Sequence, residues 1–150
     1  MITPLPPIDP EESKIQYFFQ DIQEELSDLD SLIPWLLNVA SDEGKEIYQL
    51  QIVFMTDDAL LEMNQTYLGH DYYTDIITFP LNEDPIMGEL YISYDRVCDN
   101  AKSLEVSEWE EIARVMVHGI LHLCGYQDHN AAEKKVMRNK EDHYLKGLKK

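Results

Sequence analysis

Two histidines, His118 and His122, stand four residues apart in a segment, Val115 to Cys124, whose other residues are all apolar or glycine. On an α-helix this spacing puts both side chains on one face, with Cβ atoms about 5–6 Å apart, so both imidazoles can reach one ion. Burying two imidazoles in so apolar a helix is costly unless something binds them. Beyond Gly125 the chain offers Asp128 and His129, and either completes a three-donor site with a fourth position open to water. Structural zinc is normally closed by four protein ligands, whereas an open site lowers the pKa of bound water to about 7 and polarises a phosphoryl or carbonyl oxygen. The peptidase pattern H-E-x-x-H is not met, because Gly119 stands where its glutamate base belongs. Gly119 either makes room for a large substrate or lets another element pack closely. A bare H-x-x-x-H is also found as a pair of core histidines; the apolar helix, the glycine stop and the donors beyond it set this one apart.

The elements that must position these residues are legible from capping and periodicity. Ser107 with Glu110 forms a capping-box start for the histidine helix, and Gly125 ends it. Asn130 with Glu133 caps a last helix through Met137 to Tyr144. Strands are expected at Ile15 to Phe19, Tyr48 to Met55, Ile76 to Phe79, closed by Pro80, and Glu89 to Ser93. Further helices are expected over Ser31 to Ala40, capped by Ser31 or Asp30, from Thr56-Asp57-Asp58 to about Tyr67, and over Asp95 to Leu104. The stretch from Met63 to Pro80, dense in polar and aromatic residues, reads as a binding loop leading into a strand.

At 150 residues the chain is one domain, and such a domain buries roughly 68–70% of its unfolded surface. Residues 1–13, with four prolines, read as a flexible leader, and residues 14–150 as the domain. No run of about 18 apolar residues occurs and the N-terminus has no signal-peptide pattern, so the expected compartment is the cytoplasm, with no membrane partner. Cys98 and Cys124 are expected as reduced core residues, with a place for Cys124 beside the metal as the alternative. The net charge of -17 argues against a general polyanion binder. Much of the acid lies in the first third, while Lys134, Lys135, Arg138, Lys140, Lys146, Lys149 and Lys150 gather near the C-terminus as a candidate local basic patch.

Three blocks carry a specific resemblance: His118-Gly119-Ile120-Leu121-His122-Leu123-Cys124-Gly125-Tyr126; the Met63-Asn64 to Tyr67 segment leading into Thr74-Asp75-Ile76-Ile77-Thr78-Phe79-Pro80; and Gly88-Glu89-Leu90-Tyr91-Ile92. In this order they resemble the YbeY family of bacterial metallo-endoribonucleases, the rRNA maturation factors. The resemblance implies an α+β single domain, with a small mixed four-stranded sheet packed by about five helices and a zincin-like metal helix. It also implies one Zn2+ per chain and hydrolysis of single-stranded or ribosomal RNA, in 3′-end maturation of the small-subunit RNA and in ribosome quality control, with the small subunit or its proteins as partners. The family usually reads Gly-Tyr-Asp-His, the third metal-binding histidine falling ten residues after the first. Here Asp128 holds that place, so His118, His122 and Asp128 are the expected ligands, and His129 would serve only if the loop took up one more residue. Leu68 stands where the family typically carries a substrate-facing arginine, and leucine cannot grip a phosphate. Glu89, Asp75 and His70 are candidates for a general base. The alternatives are a ribosome-associated metal-binding module with weak or no catalysis, and a metal-dependent peptidase.

Overall fold

The computed structural model describes residues 14–22 and 28–148. The leader at 1–13 lies outside them. Four strands, β1 (Ile15–Phe19), β2 (Ile47–Met55), β3 (Ile76–Asn82) and β4 (Ile86–Ser93), form one sheet in the order β1-β2-β4-β3. β2 pairs in parallel with both β1 and β4, and β3 closes the far edge antiparallel to β4. The apolar side chains that made β2 and β4 legible form the core: Leu50, Ile52, Phe54, Leu90 and Ile92 are fully buried.

Five α-helices among the described residues flank the sheet: α1 (Ile33–Asp42), α2 (Asp57–Leu68), α3 (Tyr94–Leu104), α4 (Glu108–Leu123) and α5 (Ala131–Lys146). Four start on the expected kind of cap. The side chains of Thr56, Ser93, Ser107 and Asn130 accept the amides of Ala59, Arg96, Glu110 and Glu133, each relieving an N-terminal amide the helix itself cannot satisfy. α1 departs from expectation. A 3-10 turn over Leu29–Leu32 precedes it, Ser31 lies within that turn with its hydroxyl on the Asp28 carbonyl, and Leu32, which makes no side-chain cap bond, takes the N-cap position.

β3 and β4 are longer than their sequence signals. Pro80 does not close β3; it pairs with Gly88 inside it, and the strand continues to Asn82. An edge strand tolerates a proline because one side of its backbone needs no ladder partner. β4 accordingly begins at Ile86 rather than Glu89.

α4 packs against α1, α3, α5, β3 and β4, which explains why ten of its sixteen residues are buried. Gly119 is the close-approach point. A Cβ there would lie 2.8 Å from Leu90 Cδ2 and 3.0 Å from Ile76 Cδ1, so its role is packing, and the extra room for substrate is not realised. Gly119→Ala gains helix propensity, but the methyl groups of the fully buried Leu90 and of Ile76 must shift within the packed core to admit the new Cβ. The expected net effect is a loss of about 1–2 kcal/mol, read as a lower urea midpoint at unchanged slope.

Candidate metal centre

His118 and His122, one turn apart on α4, turn their Nε2 atoms toward each other at 3.0 Å, and Asp128 Oδ2 lies 3.4 Å from both. Four tetrahedral donors about 2.0–2.1 Å from an ion lie ~3.3 Å from one another, so this triangle has the dimensions of a metal-ligand set. The hydrogen bonds behind the imidazoles fix which nitrogens are free. The Tyr126 carbonyl, 2.9 Å from His122 Nδ1, can only accept, so that nitrogen carries the proton and Nε2 keeps its lone pair. His118 Nδ1 donates to Glu141 Oε2 at 2.7 Å, with the same result. With both imidazoles neutral, three electron pairs converge on one point, an arrangement stabilised by positive charge, whether a proton shared between the two Nε2 atoms or a metal cation. Burial works to lower the pKa of His118, yet Glu141, Asp75 and Asp128 together hold it above the ordinary value. The two side chains remain 25% and 22% exposed, so water can reach them.

Glu141 was not foreseen as part of the centre. It sits on α5 at 5% exposure, and Arg114, one turn before His118, donates to its Oε1 at 3.0 Å and to Asp142 at 2.8 Å. A faint signal exists: Met137, Glu141 and Tyr144 occupy i, i+4 and i+7, the buried stripe of α5, and an acid on an apolar stripe wants a partner.

The loop that brings Asp128 into place is held from the other end of the chain. Tyr126 donates its hydroxyl to Glu43 Oε1 at 2.6 Å, while Lys140 at 3.1 Å and the Tyr144 hydroxyl donate to Glu43 Oε2. Burial opposes the charge on Glu43, but these donors outweigh it and hold its pKa below the ordinary 4.5. A depressed carboxylate stabilises the fold above its unfolded pKa, and that contribution disappears as pH falls through the folded value. Glu43→Gln should therefore cost about 1–3 kcal/mol at pH 7, with the gap to wild type narrowing below pH ~4.5; denaturant titrations at several pH values would register it.

A cleft of about 480 Å³ opens over the triangle, and its wall includes Leu68, His70, Tyr72, Asp75, Thr78 and His129. The loop bearing His70 is pinned: Asn64, 2% exposed, donates to the Tyr72 carbonyl at 2.9 Å, and Tyr73 donates to Asp58 at 3.1 Å. His70 stacks on Tyr72 with ring centroids 5.1 Å apart. Of the three candidate bases, Asp75 and His70 line the cleft. Burial, the largest influence, raises the Asp75 pKa, and His118 opposes it. Glu89 does not line the cleft; it faces Tyr91, whose hydroxyl donates to it at 3.3 Å, because alternation along β4 turns it away. Cys124 packs on the core with its thiol pKa pushed up to about 11, burial being the main cause; it is not part of the donor triangle. Cys98 and Cys124 form no disulfide.

Fold and cleft together define a class: one small α+β domain with a His-His-Asp cluster able to hold a metal ion. A family model described as Endoribonuclease YbeY matches residues 15–149. An Endoribonuclease YbeY of Amoebophilus asiaticus is 42% identical over 135 residues, covering 89% of this chain and 92% of that protein. One of Cytophaga hutchinsonii is 44% identical over 133 residues, covering 87% and 93%. The solution structure of TM1509 from Thermotoga maritima superposes with a TM-score of 0.62 at 29% identity, covering 88% of this chain and 87% of that one. The chain belongs to the YbeY family.

Proposed function

We propose that this chain is a single-strand-specific endoribonuclease that holds one zinc ion through His118, His122 and Asp128 and acts in the cytoplasm on ribosomal RNA, maturing the 3′ end of the small-subunit RNA and serving ribosome quality control. The observation that carries the reading is the convergence of three lone-pair donors, each imidazole fixed from behind, at the floor of an open cleft. The donor set suits zinc, which accepts nitrogen and carboxylate oxygen alike. When bound, the ion supplies Lewis acidity, favouring hydroxide at neutral pH and polarising a phosphoryl oxygen. The chain's own residues do the rest. Glu141 and Tyr126 hold the imidazoles in the metal-accepting tautomer. Asp75, partly buried beside His118 with a raised proton affinity, can take up or return a proton at the reacting oxygens. The pinned loop with His70 and Tyr72 offers a ring face on which an unpaired base can stack, which favours single strands over duplex.

No described helix is long and apolar enough to cross a membrane. Leu68 on the cleft wall supports a second reading, a metal-binding ribosome-associated module with little catalysis, because an apolar side chain replaces a phosphate grip. The deciding experiment is cleavage of single-stranded and duplex RNA, and of small-subunit precursors with a 3′ extension, by protein of measured zinc content. Cleavage confined to single strands and to zinc-loaded protein supports the nuclease. Zinc-loaded protein that sediments with small subunits and leaves every RNA intact overturns it in favour of the module.

A further inference from the structure

Behind His118 lies a second cavity, about 410 Å³, that shares Asp75, His118 and Asp128 with the cleft. The two spaces therefore meet at the donor triangle, and a strand cut there has one neighbouring nucleotide on each side of it. In the second cavity Glu111 stands out. It is 5% exposed and lines the space, yet no hydrogen bond or ion pair satisfies its carboxyl among the described residues. Its oxygens are reached from the cavity, so a ligand there can supply the donors that the protein does not. Asn100 lines the same cavity, and Lys134 and Arg138, one turn apart on α5, form its basic side.

A second cation is a poor occupant. Among the described residues only His118, His122 and Asp128 bring three donor atoms within 4.8 Å of one another. A nucleobase fits better: the cavity has ample volume, an amide beside Glu111 and cations where a phosphate would trail, and of its four carboxylates Glu141 is already taken by Arg114 and His118 and Asp128 faces the histidines, whereas Glu111 is not engaged. We propose that this cavity is a base-reading subsite for the nucleotide next to the cut, in which Glu111 and Asn100 take the edge of a base bearing an exocyclic amino group and turn away uracil, which has none. Carboxylates read amino groups in this way, as glutamate does the cytosine amine. Lys134 and Arg138 contact the backbone and carry no base preference.

This inference rests on the RNA reading of the same centre, so its test separates the two. Binding of fluorescent oligo(C), oligo(A) and oligo(U) to the metal-free protein is measured beside the cleavage profile of a randomised single-stranded RNA, for wild type, Glu111→Gln, Asn100→Ala and Lys134→Ala/Arg138→Ala, each confirmed folded by its melting curve. The expected result is a preference of about 5-fold or more for amino-bearing bases over uracil, within the 1–3 kcal/mol of one good base contact, at a single position beside the cut. Glu111→Gln should lower it toward parity, because an amide presents a donor as well as an acceptor. Asn100→Ala should weaken it in the same direction, and provides the test should Glu111→Gln fail to fold. The lysine–arginine pair should weaken binding to all sequences equally. A base preference in binding that Glu111→Gln or Asn100→Ala abolishes, without any cleavage, keeps the subsite and removes the nuclease. Cleavage whose base profile is flat, or unchanged in the folded variants, removes the subsite and keeps the nuclease.

Discussion

Asp128→Ala should lose its zinc while His129→Ala keeps it. The three-donor set places Asp128 Oδ2 equidistant from the two histidine nitrogens, whereas His129 is exposed, its backbone amide bonded to Glu133 at the start of α5. The loss on removing Asp128 should exceed the 10- to 100-fold in affinity that a supporting partner alone typically costs, and RNA cleavage should fall with it. Competition against a chromogenic chelator in metal-free buffer reads the affinity directly. If His129→Ala were the variant that emptied, the loop would accommodate one residue more than its geometry shows, and Asp128 would revert to an acid beside the site.

The second large effect falls on a residue that never touches the metal. Glu141→Gln should weaken zinc binding about 10- to 100-fold, since an amide oxygen accepts the His118 proton less strongly than a carboxylate. Glu141→Ala should do more, because it leaves both His118 Nδ1 and one arm of Arg114 without their acceptor. Nitrogen NMR of the His118 ring provides a readout that packing alone would not move: the proton should spread to Nε2 in the variants and remain on Nδ1 in wild type. Equal affinity and an unchanged ring spectrum would assign Glu141 to helix docking only.

The histidine helix, its serine cap and its glycine end followed from local rules, and so did three helices besides, whereas the preference for the carboxylate at ten residues over His129 came from the register of the family resemblance. These rules act within one or two turns of the chain, and their signals survive in sequence. What escaped depends on distant partners. Glu43 meets Tyr126, Lys140 and Tyr144 across most of the chain, and Glu141 meets His118 across a loop and a helix end. No periodicity announces such pairs. The reach of β3 through Pro80 escaped for a related cause, since only the sheet order reveals that this proline sits at an edge. Glu89, by contrast, was drawn in by its motif and excluded by the direction its strand gives it.

The clamp on Glu43 and Glu141 also orders events during synthesis. Both histidines are in place once α4 has formed, and Tyr126 can reach Glu43 without α5, but the acceptor that orients the His118 ring and two of the three donors on Glu43 arrive only when α5 docks and brings Glu141, Lys140 and Tyr144 with it. A nascent or truncated product ending before α5 would hold the motif without the geometry. Completion of the donor geometry thus coincides with the docking of the last described helix.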